Sequence, residues 1–491
     1  MLDVLLSKGS NGLLVNNKVL FIIETKKVPS GSEWLFSVAE KFGIDKSECC
    51  VIANNPEPSK HHLCHAYAAY AQSGFRDASI LVIDGWDEPG GNSVAIYEAS
   101  DGNLKKIRSY STSYSLGTFY SSGVVLCGFK QWDHAGRLMG AAAYADPDTT
   151  CPPFFLVDPK TGEIIEEDGK LDHNAFDTSL IHDKNYLIKL LGKNYDLVFT
   201  EKNDKCNFDF RFATTAATIQ YLFEQSVFSL LDYMHNTLPS KNLIITGGCG
   251  LNCVANGKII RSGKWKDLFI PNMCEDQGNI VGRMVMEYGQ KIKEPFIYNK
   301  ITYPIPKAYN KIISKEDLAN RIRNGQIVAW FEGGSEYGPR ALCHRSILAN
   351  PELKRMSYRV NEVKNREYWR PLAPVVLDTH FKEIFDVDGR IWYPHKVMLA
   401  TEYIRPEWQR RIQSVCAPDN SSRPQVLTDN KYNHTLYSLM SQYDLPILMN
   451  TSMNGAGEPI CETPEDAIRF SERNNDVLLV FVENDKIYIK E

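Results

Sequence analysis

The 491-residue sequence has no excess of positive charge: 55 Lys and Arg stand against 60 Asp and Glu, a formal net charge of −5. That excludes a chain held to nucleic acid mainly by its overall charge, and it leaves small anionic substrates open. No apolar run approaches the about eighteen residues of a membrane span. The first residues, MLDVLLSKGS, show no charged leader followed by an apolar stretch. A cytoplasmic protein with no membrane partner is the expectation. The twelve cysteines include an adjacent pair, Cys49 and Cys50, and a CxxxC at Cys249 and Cys253, but no CxxC. Paired zinc knuckles and thioredoxin-type motifs are thereby excluded, and reduced, mostly buried thiols are the default. Heptads, repeats and low-complexity tracts are absent too, as are a Walker loop and GxGxxG.

What is present is an ordinary globular composition, 43% hydrophobic and 23% charged, long enough for two or three domains. A long α/β stretch runs to EPFIYNKITYPIPKAYN at 294–310, where three prolines interrupt every periodic pattern. Helical patterning resumes at SKEDLANRIRNG, so the expected domains are 1–300 and 301–491. Residues 155–210 are irregular and acidic and read as an insertion or cap without an assignable role.

Five separated islands carry chemistry. PSKHHLCHAYAAYAQSGF opens with Pro58 and Ser59, a helix start, and stops at Gly74, a carboxyl cap. On that helix His61 and His65 are four apart and share a face, the spacing that lets a helix hold a metal ion. The blander alternative is one surface and one core histidine. ASILVIDG reads as a buried parallel strand delivering Asp84 to a sheet edge; Asp84 beside Gly85 is also what a turn carboxylate looks like. Asp276, in CEDQGN before a helix beginning near Gly278, is a fourth candidate ligand. Imidazole with carboxylate suits iron, manganese or zinc better than calcium.

NLIITGGCGLN is a strand, a Gly-Gly bend and a helix start. Its Gly247, Gly248 and Gly250 N–H groups are in a position to face a phosphate, and Asn252 either contacts the nucleotide or caps the helix. A plain tight turn is the competing reading. In EYGPRALCHRSIL, Arg340 and Arg345 sit in an apolar stretch. KNREYWRPLAPVVL adds Lys364, Arg366 and Arg370, and LPILMNTSMNGAGEPI places Asn450, Thr451, Ser452 and Asn454 just after another strand. Arginine forks suit phosphate or carboxylate. Surface salt bridges with Glu336, Glu362 and Glu367 are the alternative, more so for Arg366 than for Arg340 or Arg370.

These motifs together resemble the O-carbamoyltransferases of the nodulation-factor and antibiotic-tailoring family, over most of residues 55–150 and 240–480. The resemblance implies an actin-like, duplicated ribonuclease-H-type first domain and a smaller YrdC-like α/β second domain. It further implies that carbamoyl phosphate and ATP, with Mg, form carbamoyl adenylate in the second domain, and that an acceptor hydroxyl takes the carbamoyl group at the metal site of the first. On matching positions, His61, His65, Asp84 and Asp276 would surround the metal, iron foremost. Gly247, Gly248 and Asn252 would lie by the nucleotide. Arg340, Arg345, Lys364, Arg370, Ser452 and Asn454 would hold carbamoyl phosphate and the adenylate. The family's amino-terminal histidine falls at Ser7 here, and His62 is the substitute general base.

The expected acceptor is a small molecule, a sugar or a hydroxymethylated pyrimidine, free or in nucleic acid. Basic residues in GKIIRSGKWK and EWQRR, with Trp265 and Trp408 to stack a base, motivate the polymer version. A homodimer is compatible with all of this. Competing readings are a tRNA threonylcarbamoyl-type transferase and a non-catalytic ATP- or metal-binding partner protein.

Overall fold

The computed structural model describes residues 60–85, 91–129, 134–165, 183–192, 210–289 and 291–490, and the backbone pairing of four strands within residues 2–52. Those strands are β1 (Leu2–Leu6), β2 (Ser10–Val15), β3 (Lys18–Glu24) and β4 (Cys49–Ile52), in the order β3-β2-β1-β4. The first three form an antiparallel meander, and β1 takes β4 in parallel.

A second sheet repeats that plan. It contains β5 (Asp77–Ile83), β6 (Asn92–Ser100), β7 (Asn103–Ser111), β8 (Asn242–Thr246) and β9 (Asp267–Phe269), ordered β9-β8-β5-β6-β7. Again three strands meander, and β5 takes a later strand, β8, in parallel. The apolar run of β5 is buried at every position after Asp77, as a strand covered on both faces requires.

Helices cover this sheet: α1 (His61–Ser73), α2 (Ala135–Ala142), α3 (Phe210–Thr237), α4 (Cys253–Arg261) and α5 (Asn279–Tyr288). The alanine-rich α1 ends at Gly74 with φ 71°, the left-handed cap that the sequence signals. Its expected start at Pro58 and Ser59 lies outside the described residues, as does Ser7. Of the 155–210 stretch, the described Phe155 lies in the core and exchanges backbone hydrogen bonds with Ser226 Oγ of α3 (3.1 and 2.7 Å).

The third sheet has eight strands: β10 (Lys311–Ile313), β11 (Ile327–Glu332), β12 (Arg345–Ala349), β13 (Ala373–Leu377), β14 (Gln425–Leu427), β15 (Ile447–Ser452), β16 (Val477–Glu483) and β17 (Lys486–Ile489). Their order is β10-β17-β16-β11-β12-β15-β13-β14. Asn450, Thr451 and Ser452 therefore lie within β15 rather than after it. The described residues thus form a mixed α/β structure. Among the described residues, 289–310 hold only one isolated bridge, Tyr298 to Glu336, in keeping with the prolines there.

The two halves are not separate bodies joined by a tether. Trp369, Trp392 and Leu399 of the second half are buried in the same apolar cluster as Phe119, Phe212 and Ile245 of the first. Burying such side chains contributes on the order of 2 kcal/mol each, so the halves are held in one alignment. Two further apolar clusters contain strands of the eight-stranded sheet.

Candidate active site

Four side chains from distant segments meet at the carboxyl edge of β5. His61 and His65, one turn apart on α1, bring their Nε2 atoms within 3.2 Å of each other. Asp84 Oδ2 lies 2.9 Å from His61 Nε2 and 3.2 Å from His65 Nε2, and Asp276 Oδ1 lies 3.3 and 3.5 Å from the same atoms. One ligand atom from each residue falls within 4.8 Å of all the others. Burial opposes charge on His61, but Asp276 and Asp84 outweigh it and push its pKa up to about 10. His65 moves the same way against its own burial, while hydrogen bonds from the two histidines overcome burial to hold both carboxylates below their usual range.

The backbone explains why these groups converge. Gly85 N and Gly248 N both donate to Asp84 Oδ1 (2.8 and 3.2 Å), leaving Oδ2 aimed at the histidines. Gly247 has φ 89°, and a Cβ there would lie 2.2 Å from Ile83 O, so only glycine fits this turn. At Gly282 of α5 a Cβ would come within 2.1 Å of Cys64 O, so glycine lets α5 lie directly against α1. Asn279, at the start of α5, sits 3.4 Å from His61 Nδ1 and fixes the ring from behind.

A cavity of about 450 Å³ opens between the halves. Its second-half wall carries Arg340, Arg366, Arg370, Arg423, Thr451 and Ser452; its first-half wall includes Gln220, Glu224, Lys258 and Arg261. The loop bearing Arg340 also touches the ligand cluster's turn, because Asn272 Nδ2 donates to Tyr337 O (2.9 Å) and Gly338 packs on Asn272 O. Among the described residues, Arg340 and Arg423 have no hydrogen-bond or ion-pair partner, and Arg366 bonds only Asn361 Oδ1 (2.6 Å). Glu367 is the near carboxylate, 3.7 Å from Arg370 and 2.9 Å from Arg137. Burial, joined by Arg423, pulls Arg340 down to about 10; burial, with Arg137 and Arg423 against Glu367, does the same to Arg370. Both remain cations at neutral pH. Arg366 is not the surface salt bridge that its sequence context suggests.

Several expected ligands turn out to be supports. Arg345 is fully buried and spends its donors on the carbonyls of Glu332, Gly333, His344 and Glu462 while stacking on Phe331, so it is a strut and not an adenylate ligand. Glu336 is no surface partner either: it accepts the N–H groups of Leu342, His344 and Arg345 and shapes the loop holding Arg340. Lys364 Nζ sits behind Ser452, held by oxygens of Ser452 and Asn454. Burial, Arg366 and Arg370 lower its pKa, while those four acceptors favour the ammonium. Asn454 is tied to Lys364, Ser452 and Glu458 O and braces the same loop.

In the first half, Gly247 N donates to Cys274 O and Gly250 N to Gly247 O, so with Gly248 on Asp84 none of the three N–H groups faces a phosphate. Asn252 caps α4 through Ala255 N and pairs with Gln220. His62 is 5% exposed, and burial drives its pKa down to about 3, which makes it a weak base at neutral pH. Trp265 and Trp408 are buried, at 5% and 4% exposure, which rules out base stacking on either.

Arg423 escaped sequence reading, yet it left a signal. Arg-Pro precedes an apolar strand twice, at 370–371 and 423–424, and those strands, β13 and β14, pair in parallel, so both arginines arrive at one sheet edge.

Residues 17–285 match the family model for a carbamoyltransferase N-terminus, and residues 319–487 that for a carbamoyltransferase C-terminus. Nodulation protein NolNO of Sinorhizobium fredii is 28% identical over 88% of this chain and 63% of its own length. Nodulation protein NolO of Bradyrhizobium diazoefficiens is 28% identical over 83% of this chain and 75% of its own. The 3'-hydroxymethylcephem-O-carbamoyltransferase of Amycolatopsis lactamdurans is 25% identical over 84% and 77%. The chain thus spans less than two thirds of the length of NolNO.

Proposed function

The chain belongs to the carbamoyltransferase family, and we propose that it is an ATP-dependent O-carbamoyltransferase that makes carbamoyl adenylate and moves its carbamoyl group to the hydroxyl of a small molecule. The observation that carries this reading is the pairing of a cavity lined by Arg340, Arg366 and Arg423, which have no ion-pair partner among the described residues, with a two-histidine, two-aspartate cluster on the adjoining turn. A cavity of about 450 Å³ is within the range of sites that take nucleotide-sized ligands.

Hydrolysis of carbamoyl phosphate yields carbamate and phosphate; the carbamate oxygen attacks the α-phosphorus of ATP, and pyrophosphate leaves. Arg340, Arg366, Arg370 and Arg423 supply positive charge where phosphate oxygens gain negative charge, in a site already organised before substrate arrives. Ser452, whose hydroxyl accepts from Lys364 Nζ and donates to Asn454 Oδ1, lines the same cavity. Carbamate is a poor electrophile, and joining it to AMP gives the carbonyl carbon a leaving group. The acceptor oxygen then attacks that carbon, the bond from the carbon to the adenylate oxygen breaks, AMP departs, and the hydroxyl proton passes to solvent.

His61, His65, Asp84 and Asp276 have the donor types and spacing for a divalent transition metal, iron, manganese or zinc, with Asn279 and the Gly85 and Gly248 N–H groups orienting the ligands. Such an ion supplies Lewis acidity toward an oxygen substrate. The recurring meander-plus-parallel-strand plan of the first two sheets supports an actin-like, duplicated ribonuclease-H-type first domain, with a YrdC-like domain from about residue 301. The buried Trp265 and Trp408 favour a free small-molecule acceptor over a polynucleotide, and no helix among the described residues is long and apolar enough to cross a membrane.

Incubation with ATP, carbamoyl phosphate and a panel of hydroxylated sugars, nucleosides and oligonucleotides is expected to give one product heavier by a carbamoyl unit, read by mass spectrometry. AMP formation that does not depend on carbamoyl phosphate would contradict the proposal.

A further inference from the structure

The first-half wall of the cavity holds a cation whose orientation is dictated by the second half. Arg261, the last residue of α4, donates through Nη1 to Glu402 Oε2 (2.8 Å) and Thr401 O (2.5 Å), and its guanidinium lies 4.7 Å from the Tyr403 ring centre. Glu402 is wholly buried; its other oxygen, Oε1, is 3.0 Å from His395 Nε2. His395 Nδ1 accepts the Trp392 N–H (3.2 Å), so Nε2 carries the proton and donates to Glu402. Nothing in this chain of contacts is loose. Gly257 of α4 packs so closely on Thr401 O that a Cβ would lie 2.1 Å away, and Asn256 Nδ2 donates to Leu399 O (2.8 Å).

Two arginines that donate to backbone carbonyls, one buried and one partly exposed, make an instructive contrast. Arg345 uses all its donors within the fold and lines nothing. Arg261 uses only Nη1; its side chain is 26% exposed, it lines the cavity, and among the described residues Nε and Nη2 have no partner. With one oxygen on Arg261 and the other on His395, the buried Glu402 carboxylate is satisfied on both sides and holds Nη1 in one place. Glu402, held by His395, fixes Nη1, and Arg261 lines the same cavity as Arg340 and Arg423.

We infer that Arg261 is an anion-binding residue contacting the phosphate of the bound nucleotide, and that Glu402, fixed by His395, is its positioning residue. This rests on reading the cavity as a nucleotide site. It adds that the nucleotide is gripped by both halves at once.

The test is calorimetric titration of wild type, Arg261→Gln and Glu402→Gln with AMP and, separately, with adenosine. Both variants are expected to bind AMP about tenfold more weakly or worse, the equivalent of about 1.4 kcal/mol, while adenosine affinity stays within about twofold. A general disruption of the cavity would weaken both ligands together, and that result overturns the inference, as does unchanged AMP binding. Wild-type protein that binds neither ligand overturns the nucleotide reading of the cavity itself. If Glu402→Gln fails to fold, as its thermal unfolding would reveal, Arg261→Gln decides alone, since that side chain is partly exposed.

Discussion

The ligand cluster and the arginine cavity are both polar and largely buried, but they balance charge in opposite ways. In the cluster, two imidazoles and two carboxylates satisfy one another at 2.9–3.5 Å, and each carboxylate stays ionised because a histidine proton faces it. In the cavity, Arg340, Arg366 and Arg423 have no ion-pair partner among the described residues, and after burial Arg423 lowers the pKa of Arg340. A buried charge without a counterion is costly. The cluster is therefore balanced within itself, whereas the cavity keeps cations without ion-pair partners among the described residues.

The sharpest way to break this comparison is to remove one member of each site. His61→Ala is expected to lower carbamoyl transfer about a thousandfold or more while carbamoyl-phosphate-dependent AMP formation stays within about threefold. Equal loss of both activities, measured side by side, would merge the two sites into one. Arg423→Ala is expected to lower AMP formation by about 10²-fold, the usual cost of one preorganised charge-stabilising donor, and to leave divalent-cation affinity unchanged. Cation titration of that variant checks the second half of the statement.

A pH series sharpens the comparison further. His61 sits at about 10 because of its carboxylate neighbours, so at neutral pH it holds a proton that an incoming cation must displace. Apparent affinity for manganese or zinc should rise with pH up to about 10, by about tenfold per unit for each proton released. The ion-free protein should show the reverse trend: stability from His61 is complete below the free value of 6.5 and is lost as pH rises through about 10. Denaturant midpoints with and without the cation test both signs. The smallest effect is expected at Gly247→Ala. The added Cβ meets Ile83 O and forces a left-handed alanine, so stability should fall by at least about 2 kcal/mol, with cation affinity weakened through a displaced Asp84.

The cluster was legible in the sequence almost completely, and the cavity only in part. His61 and His65 announced themselves by helical spacing, and Asp84 by ending an apolar strand, because both signals are local. Asp276 likewise stood at a strand-to-helix turn. The cavity depends on which face of an irregular loop meets another half of the molecule, and no period encodes that. Arg345 and Arg340 look alike in EYGPRALCHRSIL, yet one is consumed by carbonyls and the other faces the cavity. Gly247, Gly248 and Asn252 were correctly seen as a turn and a helix start, but the N–H groups there serve Asp84 and the fold, not a phosphate. Arg423 and Arg261 became visible only when β14 and α4 were set against their partners. The mixed α/β class followed from periodicity, while the sheet orders needed long-range pairing.

Exchange of labelled pyrophosphate into ATP, driven by carbamoyl phosphate and measured on wild type and His61→Ala together, tests the division of labour most directly. Exchange that requires carbamoyl phosphate and persists in His61→Ala is the expected result. Exchange that ignores carbamoyl phosphate, or that vanishes with the histidine, would contradict it.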